Sequence, residues 1–315
     1  MINYTIRRIL SAIPTLLVVA VVIFFLIRCV PGSPALTMLG DEATVEEIAA
    51  MEEEMGLDQP VVVQFVKWIG NILKGDFGTS IYYEKPVLEV IFSRMQPTVI
   101  LVIYAMIIGI VIGVSLGMLA AIYRNSWIDK VCMVLSTLGI SLPGFWLGLN
   151  LVLLFAVTLG WFPSVGYVYI EEGGLLETLR YLTLPAVALG LQRSASLARI
   201  TRSSMLEVLN EDYIRTARAK GLPTRRVICL HALKNSMNQI LTQIGISIAH
   251  LLGGSIVIEN IFTIPGLGRL AYDAITRRDY PLIQGQILYI AFIYVFINLI
   301  VDLLYKFFDP RIEFK

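Results

Sequence analysis

Apolar residues fall in long blocks along this chain, divided by polar stretches of very unequal length. About 20 predominantly apolar residues cross a bilayer as a helix. Six such windows occur, at residues 9–27, 98–123, 131–159, 182–199, 240–258 and 283–305. The pattern predicts an all-α polytopic membrane protein with six transmembrane helices. The third window carries Pro143 and Gly144 and is expected to kink or break there. Gln192, Arg193, Ser194 and Ser196 interrupt the fourth; polar groups in a span usually face protein or a water-filled cavity rather than lipid. In the second, Gly109, Gly113 and Gly117 recur every fourth residue, marking a face where another backbone can come close, in this chain or in a partner subunit.

Between the first two windows lies the longest polar region. Thr44, with Glu47 three residues on, caps an acidic helix that Gly56 stops. Residues 60–74 follow with Val61, Val62, Phe65, Trp68, Ile69, Ile72 and Leu73 at helical spacing, an amphipathic face suited to the membrane interface. Gly75-Asp-Phe-Gly-Thr-Ser80 is rich in turn formers. This region either packs on the bundle or receives a soluble partner. The chain thus divides into an anchor helix with a long extracytoplasmic region, 1–97, and a five-helix core, 98–315.

Composition agrees: of 315 residues, 57% are hydrophobic and 16% charged, outside the range of ordinary soluble domains. The net charge of +1 says little, but its distribution orients the spans. With the amino terminus inside, fifteen basic residues fall on the inner side and nine on the much longer outer segments. That bias places both termini in the cytoplasm. No Ala-x-Ala cleavage site follows the first span, so it reads as an uncleaved anchor. Cys29, Cys132 and Cys229 are too scattered for a metal tetrad or an obvious disulfide.

The most distinctive stretch is the basic run Tyr213-Ile-Arg-Thr-Ala-Arg-Ala-Lys-Gly-Leu222, inside a polar loop of about residues 199–239. Asp212 and Tyr213 open a short helix, Gly221 can take the left-handed cap, and Pro223 suits the first turn of the next helix. With Arg225-Arg226 and His231-Ala-Leu-Lys-Asn235, the run resembles the cytoplasmic coupling loop of ABC-importer permeases, most closely the dipeptide/oligopeptide/nickel branch. The general motif of that loop is Glu-Ala-Ala, three residues, Gly, nine residues, Ile, one residue, Leu-Pro. Here Arg215-Thr-Ala217 fills the first slot, Gly221 keeps its place, His231 replaces Ile, and Leu233-Lys234 replaces Leu-Pro. Gly56-Leu-Asp-Gln-Pro60 and Gly75-Asp-Phe-Gly-Thr-Ser80 are similar to the same branch, and the likeness runs from Pro31 to Ile312.

The resemblance implies a type I ABC-importer permease fold in a bacterial inner (plasma) membrane. It implies a path for di- or oligopeptides, with nickel chelates as the alternative cargo of the same branch. The implied partners are a second homologous permease, two ATPase subunits and an extracytoplasmic substrate-binding protein, besides lipid and peptide; no nucleic acid is implicated. It assigns ATPase coupling to Tyr213, Arg215, Thr216, Ala217, Arg218, Ala219, Lys220, Gly221 and Leu222, with Arg215, Arg218 and Lys220 supplying charge and Ala217 and Ala219 allowing close approach. ATP and Mg would be bound by the partner ATPases, with no cofactor on this chain.

Two further groups are candidates. Gln192, Arg193, Ser194 and Ser196, with Thr242, Gln243, Ser247 and His250 of the fifth span, either face the translocation path or, for Arg193 and its neighbours, extend to the inner interface. Glu259, Pro265, Gly266 and Gly268, in a Pro-Gly-x-Gly turn after the fifth span, are candidates for an external gate. No lysine precedes Ser or Thr, which excludes a phosphate-binding loop, so the chain is expected not to be an enzyme. Two histidines cannot form His-Glu-x-x-His, and neither Gly-x-Ser-x-Gly nor Thr-Val-Gly-Tyr-Gly occurs. An ion-coupled carrier would call for internal repeat symmetry and a mid-membrane ion site, and a scaffold protein would need only the docking loop.

Overall fold

A computed structural model describes residues 2–29, 34–40, 43–54 and 56–308. Pro31, Gly32, Ser33 and the ending from Asp309 onward, including the carboxyl terminus, lie outside the described residues. The described residues are helical, apart from loops and an isolated bridge between Thr79 and Pro86. They form two compact units, residues 1–96 with 269–295, and residues 97–268 with 296–315.

In the first unit, α1 (Ile2–Arg28) is the anchor helix, followed by α2 (Pro34–Leu39), the acidic α3 (Val45–Glu54), α4 (Val61–Leu73) and α5 (Val87–Ser93). The capping box forms as expected. Glu47 Oε2 accepts from the Thr44 amide at 2.9 Å and its hydroxyl at 2.8 Å, and these donors hold the carboxyl below its usual range. Gly56 ends this segment at φ +68°. α4 turns Phe65 and Trp68 onto Phe24 of α1, with ring centroids 5.1 and 5.5 Å apart. Trp68 and Ile283 also pack against the buried Ile23, Ile27 and Tyr280. The remaining α4 valines stay exposed. The amphipathic face is thus partly used within the chain.

The second unit holds α6 (Met95–Ile122), whose Met95 and Gln96 belong to the first, then α7 (Trp127–Ser141) and α8 (Gly144–Leu151). α8 runs on as a π-helical segment, Val152–Thr158. The third window is broken where Pro143 stands: α7 and the α8 segment are bent by 98°. After α9 (Ile170–Leu209) come α10 (Asp212–Ala219), α11 (Thr224–Arg226), a π-helical turn Val227–Ala232, and α12 (Leu233–Ile261). The chain finishes through α13 (Leu267–Thr276) and α14 (Tyr280–Phe308), both shared between the units in sequence.

α9 is the central element, packing on α7, α8 and α12 around a core that includes Leu101, Leu189, Leu197, Ile240 and Phe262. Between membrane spans such side chains contribute through close packing rather than escape from water, lipid tails being as apolar as leucine. α6 approaches α9 through its glycines. A Cβ at Gly113 would lie 2.6 Å from the Ser194 carbonyl oxygen and 2.7 Å from Leu197 Cβ; one at Gly190 would lie 2.7 Å from the Ala105 carbonyl oxygen. The glycine stripe therefore serves a contact within this chain, and the alternative of a stripe facing a partner subunit does not hold for Gly109, Gly113 and Gly117.

Among the described residues three helices (α1, α6 and α14) are long and apolar enough to cross a membrane unaided, or up to five if each bent pair counts as one span. α9 contains the fourth window but is too polar along it to stand out by composition; the described residues make a helical protein with at least three candidate spans.

Candidate functional site

The basic run builds a compact helix–turn–helix. α10 starts at Asp212 after Glu211, whose carbonyl accepts from the Ile214 and Arg215 amides at 3.1 and 3.3 Å. Gly221 reverses the chain at φ +76°, its amide donating to the Arg218 carbonyl at 2.9 Å while the Leu222 amide reaches Ala217 at 3.3 Å. This is the left-handed helix cap in which glycine carries no Cβ penalty. Pro223 stands one residue earlier than the sequence suggested, capping α11 at ψ 140° rather than opening it as the first helical residue.

Burial divides α10 sharply. Ile214 is fully buried and Ala217 nearly so, in a cluster with Ala121 at the end of α6, Met205 of α9, and Val227, Ile228 and Ala232 that lead into α12. Tyr213, Arg215, Thr216, Arg218, Ala219, Lys220 and Gly221 are exposed, and Leu222 is half-buried. Ala217 packs inward, and of the two alanines only Ala219 lies outside. Burial raises the Tyr213 phenol above its usual range, against the opposing pull of Asn235. Nearby, Arg202 of α9 grips Asp129 of α7 through Nε and Nη2, both at 2.7 Å, a bidentate pair whose carboxylate is buried.

The path candidates separate. Ser194 is buried where α9 meets α6, its Oγ donating to the Leu191 carbonyl at 2.7 Å, so it lies in a helix contact. Ser247 is buried with Gln243 Nε2 3.4 Å from its Oγ, while His250 and Thr242 are exposed. Gln192 and Arg193 are half-buried neighbours, with Arg193 Nη2 3.5 Å from Gln192 Oε1. Among the described residues no hydrogen bond joins the α9 group to the α12 group.

The gate candidates do come together. Glu259 is fully buried; its Oε1 accepts from Thr98 Oγ1 at 2.8 Å, and that oxygen in turn accepts from the Leu267 amide at 2.7 Å. A Cβ on Gly266 would overlap Thr98 Oγ1 and lie 2.5 Å from Glu259 Oε2; one on Gly268 would lie 2.9 Å from the same carboxylate. The two glycines are the space the carboxylate occupies. Pro265, between the buried Ile264 and Gly266, is half-buried. The sequence reading missed Thr98, because a threonine opening an apolar span carries no signal of a partner 161 residues away.

A second latch, also unmarked in the sequence, lies in the first unit. Asp279 Oδ2 accepts from Ser80 Oγ at 2.5 Å and from the Tyr82 amide at 3.1 Å, and Oδ1 from the Leu282 amide at 3.2 Å. Arg277 stacks on Tyr82, its guanidinium carbon 3.5 Å from the ring centre. Both line a cavity of about 610 Å³ with Met38, Thr79, Ser80, Ile81 and Glu84. All three cysteines are free, and among the described residues no cluster of His, Cys, Asp or Glu could hold a metal ion.

Comparison with known proteins places this architecture. The family model described as binding-protein-dependent transport system inner membrane component matches residues 113–314, and its N-terminal companion matches 1–110. The chain is 44% identical over 315 residues, all of both chains, to the glutathione transport system permease protein GsiC of Salmonella typhimurium. It is 46% identical over 308 residues, 98% of each chain, to a putative peptide transport system permease protein of Brucella abortus. Among solved structures, an inward-facing MetNI methionine ABC transporter chain matches with TM-score 0.57 at 16% identity, over 70% of this chain and 97% of that one, which is a likeness of fold. The chain therefore belongs to the family of binding-protein-dependent transport system inner membrane components: it is a multi-pass inner-membrane permease subunit of an ABC importer, and not itself the ATPase.

Proposed function

We propose that this subunit forms, with a second homologous permease, the path by which an ATP-driven importer moves di- or oligopeptides inward. Two ATPase subunits drive it and an extracytoplasmic binding protein delivers the cargo. The peptide cargo is supported by relatives named for glutathione and peptide transport, which favour it over nickel chelates. In this reading the chain crosses the membrane six times with both termini cytoplasmic, α9 supplying a span too polar to stand out by composition.

The observation that carries the coupling role is the division of α10. Its inner face is fused by Ile214 and Ala217 to the ends of α6, α9 and α12, while Arg215, Arg218 and Lys220 point away. A helix held so firmly on one side transmits a push on its other side to all three helices together. Docked in a cleft of the ATPase, it would convert closure of the ATPase pair into movement of the spans. The Thr98–Glu259 latch would hold the Pro-Gly-Leu-Gly turn as an external gate joined to the start of α6.

Single cysteines at Lys220 and Lys67, in a background lacking Cys29, Cys132 and Cys229, test the topology. They are expected to label from opposite sides, with Lys220→Cys protected when the ATPase is bound. Labelling of both by an impermeant reagent from outside contradicts the arrangement.

A further inference from the structure

α9 carries a cation, Arg193, within its apolar window at residues 182–199. Arg193 precedes Arg202 by nine residues, about 13–14 Å along a helix rising 1.5 Å per residue. Arg202 is neutralised by its bidentate pair with Asp129. Arg193 is not: among the described residues no carboxylate pairs with it. Its Nη2 reaches only the neighbouring Gln192 amide oxygen at 3.5 Å, and its Nε is buried with no acceptor. The carboxylates on the helices packed against α9 are already engaged, Asp129 by Arg202 and Glu259 by Thr98.

The surroundings fix where this cation stands. Gly109 of α6 lies beside its stem, a Cβ there being 3.5 Å from Arg193 Cβ, an ordinary contact. On the other side the Gln192 amide lies against the break in the third span, its Oε1 3.5 Å from where a Cβ of Gly144 would be. Irregular backbone at membrane depth is tolerated where it is buried in protein or lines a water-filled cavity. Arg193 stands six residues, about 9 Å along α9, before Arg199, where the polar loop begins, so its guanidinium lies within the inner half of the apolar window. A guanidinium without a counter-ion inside a membrane is a functional site whose partner has to be named. Its planar fork matches a carboxylate in two parallel hydrogen bonds.

We propose that Arg193, steadied by Gln192, binds the C-terminal carboxylate of the peptide in transit. Every linear peptide carries that group whatever its side chains, so one fixed cation can serve varied sequences. The proposal rests on the peptide reading above.

The test uses the complete importer in proteoliposomes, with a saturating binding protein. It compares ATP-driven uptake of one labelled peptide as the free acid and as the C-terminal amide, per assembled complex. In Arg193→Gln the ratio of acid to amide uptake should fall at least about tenfold relative to wild type, the lower end for a hydrogen bond to a charged group, while Arg193→Lys, which keeps the charge but loses the fork, should fall between the two. A purely structural role would lower both substrates together and leave the ratio unchanged, which overturns the proposal. If the wild-type complex imports neither form with ATP, the peptide reading fails and this assignment falls with it.

Discussion

Gly221 is where the coupling geometry can be tested with a worked magnitude. Its φ of +76° lies in the left-handed region, and a Cβ added there would meet nothing within 4 Å. The cost of a side chain is therefore backbone strain alone, roughly 1–2 kcal/mol for an ordinary L-residue, and more for a β-branched one than for alanine. Asparagine tolerates this conformation and should cost least. Because about 1–2 kcal/mol corresponds to a roughly 5–30-fold change in an equilibrium, loops that are marginally held should lose their reversal measurably. Expected ATP-driven uptake per assembled complex falls in the order wild type, Gly221→Asn, Gly221→Ala, Gly221→Val, with membrane abundance near normal and ATPase co-purification falling in parallel. Wild-type uptake in Gly221→Val, or an asparagine variant worse than the valine one, would refute the strain argument.

Other outcomes follow from the packing. Gly113→Ala places a Cβ 2.6 Å from the Ser194 carbonyl oxygen, an overpacking that costs about 1–3 kcal/mol and should lower the Tm of the purified subunit; an unchanged Tm would mean α6 and α9 are not in this register. Thr98→Val removes a donor from the buried Glu259 carboxylate and an acceptor from the Leu267 amide, at a net cost of about 0.5–3 kcal/mol for each hydrogen bond lost. A thiol at the exposed Thr263 should then react faster with water-borne reagents, and unaltered reactivity counts against the latch. Asp279→Ala removes the acceptor shared by Ser80, Tyr82 and Leu282 and should speed proteolysis between Gly75 and Pro86, whereas wild-type resistance would show the latch to be dispensable.

Features decided by neighbours in sequence were legible from it. The Thr44–Glu47 capping box, the break at Pro143, and α10 with its Gly221 reversal each depend on residues a few positions apart. Features decided across the fold were not. The spacing of Gly109, Gly113 and Gly117 announces a close contact but cannot say that α9 of the same chain fills it. The inward turn of Ala217 depends on Met205 and Val227, which local pattern does not bring together, and the place of Ser194 against Gly113 likewise depends on α6. Glu259 stood out in the sequence, but its partner Thr98 did not.

The central claim is that ATP hydrolysis by partner subunits, transmitted through α10, drives peptide across this permease. The most direct measurement is accumulation of a labelled peptide in proteoliposomes that hold both permeases and both ATPases, supplied with the binding protein. The account predicts accumulation that requires ATP and this subunit and disappears with Gly221→Val. Accumulation driven by an ion gradient without ATP, or undiminished when this subunit is omitted, would contradict it.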